Sequence, residues 1–158
     1  MDQFLTSIQQ SDFARFIGES GSKWGYPFVL FMHTLGLGVV AGISAGLALR
    51  VLGFGRSLPL GPMDRLYPIM WFGFVLSAIS GLALLATDPV TKLHQTVFYV
   101  KLIFIALGLT NMQMIRNRVF RDPSAASGVL PSNARMLAMT SLLFWIGATT
   151  AGRLIAYL

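Results

Sequence analysis

Four separate stretches of the chain are each long and apolar enough to cross a bilayer, and nothing else in the sequence constrains the fold as strongly. A transmembrane helix needs about 20 mostly apolar residues. Such runs extend over about 27–52, 66–87, 89–113 and 136–157, which is more than half of the 158 residues. The charge content agrees. Only 11% of residues are charged, against about 25% in soluble domains. That is too few to cover the surface of an ordinary globular protein, and too apolar a chain for disorder. The absence of cysteine excludes a disulfide scaffold, a thiolate metal site, covalently attached haem and a thiol nucleophile. The fold class is therefore all-α. We expect a polytopic membrane protein, an up-down bundle of four transmembrane helices over 23–158, preceded by an N-terminal segment over 1–22.

Turn residues mark the boundaries. Pro27 and Pro89 open the first and third runs, with Asp88 as a cap. Gly53, Gly55, Pro59, Gly61 and Pro62 separate the first two runs, and Pro123, Gly128 and Pro131 separate the last two. Pro68 is expected to kink the second. Arg50, Arg56, Arg65, Arg116, Arg118, Arg121 and Arg135 cluster around the first and third loops, while the other side carries Arg15, Lys23 and Lys92. The positive-inside rule then puts loops one and three in the cytoplasm and both termini outside. A net charge of +6 is thus a topology signal, and no nucleic-acid partner is expected. Phe4, Leu5, Ile8, Phe13, Phe16 and Ile17 recur at near-helical spacing among polar residues. They read as an amphipathic helix on the outer interface, with Ser11 or Asp12 capping a second short turn.

Helices in lipid associate through small residues that let backbones approach. Thr34, Gly38, Gly42 and Gly46 repeat at four-residue intervals. Gly73, Ser77 and Gly81 answer in the second run, and Gly147 and Ala151, or Ala148 and Gly152, in the fourth. We expect internal packing there, and a second subunit could use the same face.

Ionisable groups inside a span are costly and mark function. The candidates are His33, His94, Lys101 and Arg153, all falling in the outer half under this topology. His33 follows Pro27 by six residues and His94 follows Pro89 by five, so both lie roughly 8–9 Å into parallel helices. Two imidazoles at equal depth on diagonal helices could ligate one haem iron, with Lys101 and Arg153 pairing with propionates. Simpler roles stay open. A histidine in a span also serves as a hydrogen-bond donor to a neighbouring carbonyl or hydroxyl, and the cations can reach the headgroups. Met32, Met112 and Met114 keep a copper site in view, although most of the methionines read as core filler. No P-loop and no intramembrane carboxylate are present. With no catalytic motif, an electron carrier or accessory subunit fits better than a stand-alone enzyme.

The chain resembles a group of uncharacterised bacterial four-helix integral membrane proteins, a domain of unknown function. The matching pieces are Ser22-Lys23-Trp24-Gly25-Tyr26-Pro27, His33 with Leu35-Gly36-Leu37, Gly42, and Leu49-Arg50-Val51-Leu52-Gly53. Pro68, Gly73-Phe74, Ser80-Gly81 and Phe98-Tyr99-Val100-Lys101-Leu102 follow in order. The resemblance implies an inner-membrane, four-span fold in which a histidine at His33 and a lysine at Lys101 belong to the recurrent pattern. Some relatives of this architecture resemble small b-type cytochromes or copper-resistance membrane proteins. The expected function is a b-type haem electron-transfer protein or subunit, with haem at His33 and His94 and a redox partner in the membrane or periplasm. The alternative is a structural subunit that docks to a larger assembly through Gly38, Gly42 and Gly46.

Overall fold

A computed structural model describes residues 2–18, 24–55, 57–59, 61–121, 130–155 and 157. Lys23 and Arg56 of the charge pattern, Ser22 of the resemblance, and the turn residues Pro123 and Gly128 lie outside them.

The described chain is all-helical. Two short helices, α1 (Asp2–Gln9) and α2 (Asp12–Gly18), come first. The chain breaks between them where the Ser11 hydroxyl accepts from the Ala14 amide at 3.3 Å, a side-chain cap of the kind that starts a helix. Ala14 and Ile17 are buried while Phe4, Phe13 and Phe16 face outward. Helix α2 lies on α3 (Gly25–Leu52) and α4 (Leu66–Thr87). Helix α3 ends at Gly53, whose positive φ of 107° is the left-handed conformation that glycine adopts without strain. A 3-10 turn, Gly61–Arg65, leads into α4. Pro68 sits in the first turn of α4, where its missing amide leaves no intrahelical bond unmade.

The third apolar run departs from expectation. It is not one helix from Pro89. A short α5 (Pro89–His94) is followed by Gln95 in an extended conformation, with ψ 120°, and only then by α6 (Thr96–Ile115). The polar residues explain the break. Asp88 caps α5 by accepting from the Thr91 amide. The Lys92 ammonium donates to the Leu84 carbonyl at the end of α4 and to the Thr87 hydroxyl. These bonds turn α5 back onto α4 and take it out of the span. Burial pushes the Lys92 amine below the ordinary lysine range, and the nearby Asp88 carboxylate opposes that shift.

Helix α6 widens into a π turn at Arg116–Phe120, and α7 (Ala134–Leu154) completes the fold. Three segments, Gly25–Leu52, Pro62–Thr87 and Thr96–Phe120, are long and apolar enough to cross a membrane. Helix α7 has 21 residues but carries Arg135, Arg153, Thr140, Ser141, Thr149 and Thr150, which makes it more polar than the others.

Exposed large side chains along these helices are themselves apolar, among them Phe28, Phe31, Phe72, Ile79, Ile103 and Ile146. Such a surface suits lipid as solvent and marks a membrane protein.

Helix α3 packs on α4 and α7, and α7 packs on α6. The α3–α4 crossing is close. A Cβ added to Gly36 would lie 2.6 Å from the Gly73 carbonyl and 2.7 Å from the Ser77 amide. The ladder expected to make this contact, Gly38, Gly42 and Gly46, instead faces open space on the far side of α3. The inward face is Gly36, Val40, Ser44, Leu47, Ala48 and Val51. Four-residue spacing shows that residues share a face, and lipid makes both faces of α3 equally apolar, so spacing did not show which one turns inward.

Helices α4 and α6 close the bundle at one end only. There the Tyr67 hydroxyl donates to the Met112 carbonyl at 3.4 Å, and the Ser44 hydroxyl touches the sulfurs of both Met70 and Met112. Beyond them, Arg116 donates to Asp64 at 2.8 Å and lies over the Tyr67 ring, 4.8 Å from its centroid.

Candidate functional site

At the opposite end of the bundle, α4 and α6 leave a cleft between them. It is a cavity of about 270 Å3 with walls from α3, α4, α6 and α7. The lining is apolar apart from His33, Ser77 and Lys101, and Trp145 contributes its ring. Its mouth is set by Leu82 on α4, 67% exposed, and Leu102 on α6, 45% exposed. The opening is therefore on the lipid-facing flank.

His33 reaches the cleft from the third turn of α3. Its Nδ1 donates to the Ser77 carbonyl at 2.8 Å. The Ser77 and Ser80 hydroxyls lie 3.4 and 3.5 Å from the same nitrogen. A carbonyl only accepts, so Nδ1 carries a proton. Because an apolar lining shared with the Lys101 ammonium disfavours a second positive charge, the ring is neutral and presents a lone pair at Nε2. No partner holds Nε2 among the described residues. Gly81 makes this placement possible, because a Cβ there would come within 3.0 Å of the imidazole Cε1.

Lys101 enters from α6, with its stem against Gly152 of α7, where an added Cβ would find Lys101 Cε at 3.6 Å. Among the described residues it forms no hydrogen bond or ion pair. An unpaired ammonium in an apolar cleft is a costly arrangement.

Trp145, from α7, went unnoticed in the sequence. It is 5% exposed, and its indole nitrogen is buried with no acceptor. The ring rests on Gly108 of α6, with Nε1 3.5 Å from a Cβ built there. A tryptophan within an apolar run reads as packing. The only sequence signal was the rule that a buried indole N–H seeks a partner.

The four predicted site residues do not converge. His33 and Lys101 share the cleft. His94 lies at the end of α5, exposed, with Nδ1 donating to the Val90 carbonyl of its own helix at 2.7 Å. It is absent from the cleft lining, because the break at Gln95 removes it from the span. Arg153 is exposed in the last turn of α7 and also lies outside the lining. The arrangement brings together one imidazole lone pair and one ammonium in an otherwise apolar space. No group of three His, Cys, Asp or Glu side chains suited to a metal ion occurs among the described residues. Comparison with family models, curated proteins and solved structures returns no match.

Proposed function

We propose that the chain is a four-span bacterial inner-membrane protein serving electron transfer, alone or as a subunit, with the cleft of His33 and Lys101 as its redox site. In this reading α7 is the fourth span and both termini are periplasmic. Helices α1 and α2 lie on the outer interface with Phe4, Phe13 and Phe16 among the headgroups. The observation that carries it is the pairing of His33 and Lys101 in one lipid-flanking cavity. Ionisable groups kept in such a place mark a binding site. Membership in the bacterial four-helix family belongs to the same proposal.

Haem b is the cofactor proposed from the sequence. His33 Nε2 would hold its iron, with the ring oriented by the Ser77 carbonyl as ligating histidines commonly are, and Lys101 would pair with a propionate. His94 is not part of this set, so the haem reading now rests on a single protein ligand. An absorption spectrum of the purified protein, oxidised and then dithionite-reduced, tests it. A Soret band that disappears in His33→Ala supports haem, and a colourless protein removes it.

A second reading is carried by the outward face of α3. Thr34, Gly38, Gly42 and Gly46 are exposed, and the three glycines have open space above them. We propose that this face lets a second transmembrane helix approach, in a homo-oligomer or a larger complex. Gly42→Leu then lowers the oligomer mass in detergent, while His33→Ala leaves it unchanged.

A further inference from the structure

The polar groups of the cleft differ in what they can offer. On the α3 wall, His33 has spent its proton on Ser77, so the neutral ring offers an acceptor at Nε2. Across the cavity, Lys101 on α6 offers donors only and has no acceptor among the described residues. One acceptor therefore faces one ammonium over an apolar gap.

Size narrows the occupant. The cavity of about 270 Å3 falls just below the roughly 300–1,000 Å3 of pockets that enclose drug-sized ligands. A single substituted ring suits it better than a tetrapyrrole. A fatty-acid carboxylate satisfies the donors but sets a second lone pair against His33. A ring with a hydroxyl at one end and an oxygen at the other satisfies both walls.

We propose that the cleft binds the head group of a quinol that enters from the lipid between α4 and α6. One ring hydroxyl donates to His33 Nε2, and the opposite ring oxygen accepts from Lys101, with the Trp145 ring as a neighbouring wall. The apolar tail leaves past Leu82 and Leu102. This rests on the reading of the cleft as the redox site and not on haem.

The test uses the full chain in detergent with Trp24→Phe and Trp71→Phe, which leaves Trp145 as the sole tryptophan of the three. A decyl-substituted benzoquinol and its oxidised benzoquinone are titrated while Trp145 emission is followed. The proposal expects saturable quenching, with the quinol bound several-fold more tightly than the quinone because only the quinol donates to His33. His33→Phe abolishes that preference. Lys101→Met weakens both forms by roughly tenfold, about the worth of one hydrogen bond to a charged group, and Lys101→Arg restores them. Variants are compared at equal helicity by circular dichroism, and the arginine variant separates a lost contact from a lost fold. Quenching that rises without saturation, or that is the same in all variants, overturns the proposal. Stoichiometric haem in the purified protein overturns the quinol and upholds the redox site, whereas a colourless protein with no saturable quenching removes both.

Discussion

Gly36 and Gly42 lie six residues apart on α3, and the same substitution at each has opposite consequences. A Cβ at Gly36 meets the Gly73 carbonyl oxygen at 2.6 Å and the Ser77 amide nitrogen at 2.7 Å. Ordinary contact begins at 3.4 Å, so α4 must retreat by about 0.8 Å, and both obstacles are backbone that no rotamer change can move. Overpacking of this kind costs about 1–3 kcal/mol, partly offset by about 0.5–1 kcal/mol of helix propensity gained on replacing glycine by alanine. Gly42→Ala gains the same propensity and meets nothing within 4 Å. The two alanine variants therefore differ by roughly 1–3 kcal/mol, Gly36→Ala the less stable. Thermal unfolding in detergent, followed by circular dichroism, reads this as several degrees between their midpoints. Gly36→Ala should also disturb His33, because the retreating segment of α4 carries the Ser77 carbonyl that orients the ring. Equal midpoints, or a less stable Gly42→Ala, would refute both the α3–α4 contact and the outward direction of the ladder.

Three further outcomes follow from individual contacts. Asn111→Ala removes the 2.8 Å bond from its buried amide to the Leu137 carbonyl and should destabilise the α6–α7 pair by about 1–3 kcal/mol, measured by the same unfolding assay. Asp64→Asn breaks the charge pairing with Arg116 at a partly exposed site and should cost no more than about 1 kcal/mol, less still in high salt. Lys92 has a pKa lowered in the folded protein, so the folded state binds its proton less readily than the unfolded chain. Stability attributable to it should rise as pH climbs toward the ordinary lysine value of about 10.4, and Lys92→Met should flatten that slope in a pH series of unfolding midpoints.

The apolar runs made the helices readable, because about 20 residues with almost no charge leave the backbone few other ways to satisfy itself in lipid. The costliness of ionisable groups likewise picked out His33 and Lys101, which do share a cavity. Direction was not readable. Gly36 and Gly38 are alike on paper, and on a helix that is apolar all round no polar face tells the core side from the lipid side. The departure of His94 depends on Lys92 reaching the carbonyl end of α4, a tertiary bond with no local signature. Trp145 was hidden for a different reason. Its importance lies in an acceptor that it lacks, and only packing reveals that.

The clamp of Asp64, Tyr67, Met112 and Arg116 joins α4 and α6 at one end and leaves them apart at the other. A binding space that opens between two membrane helices exchanges its contents with the bilayer and not with water. Its occupancy then follows the mole fraction of ligand among the lipids. Diluting the sample with buffer should leave that occupancy unchanged, whereas diluting the protein into more lipid should empty it.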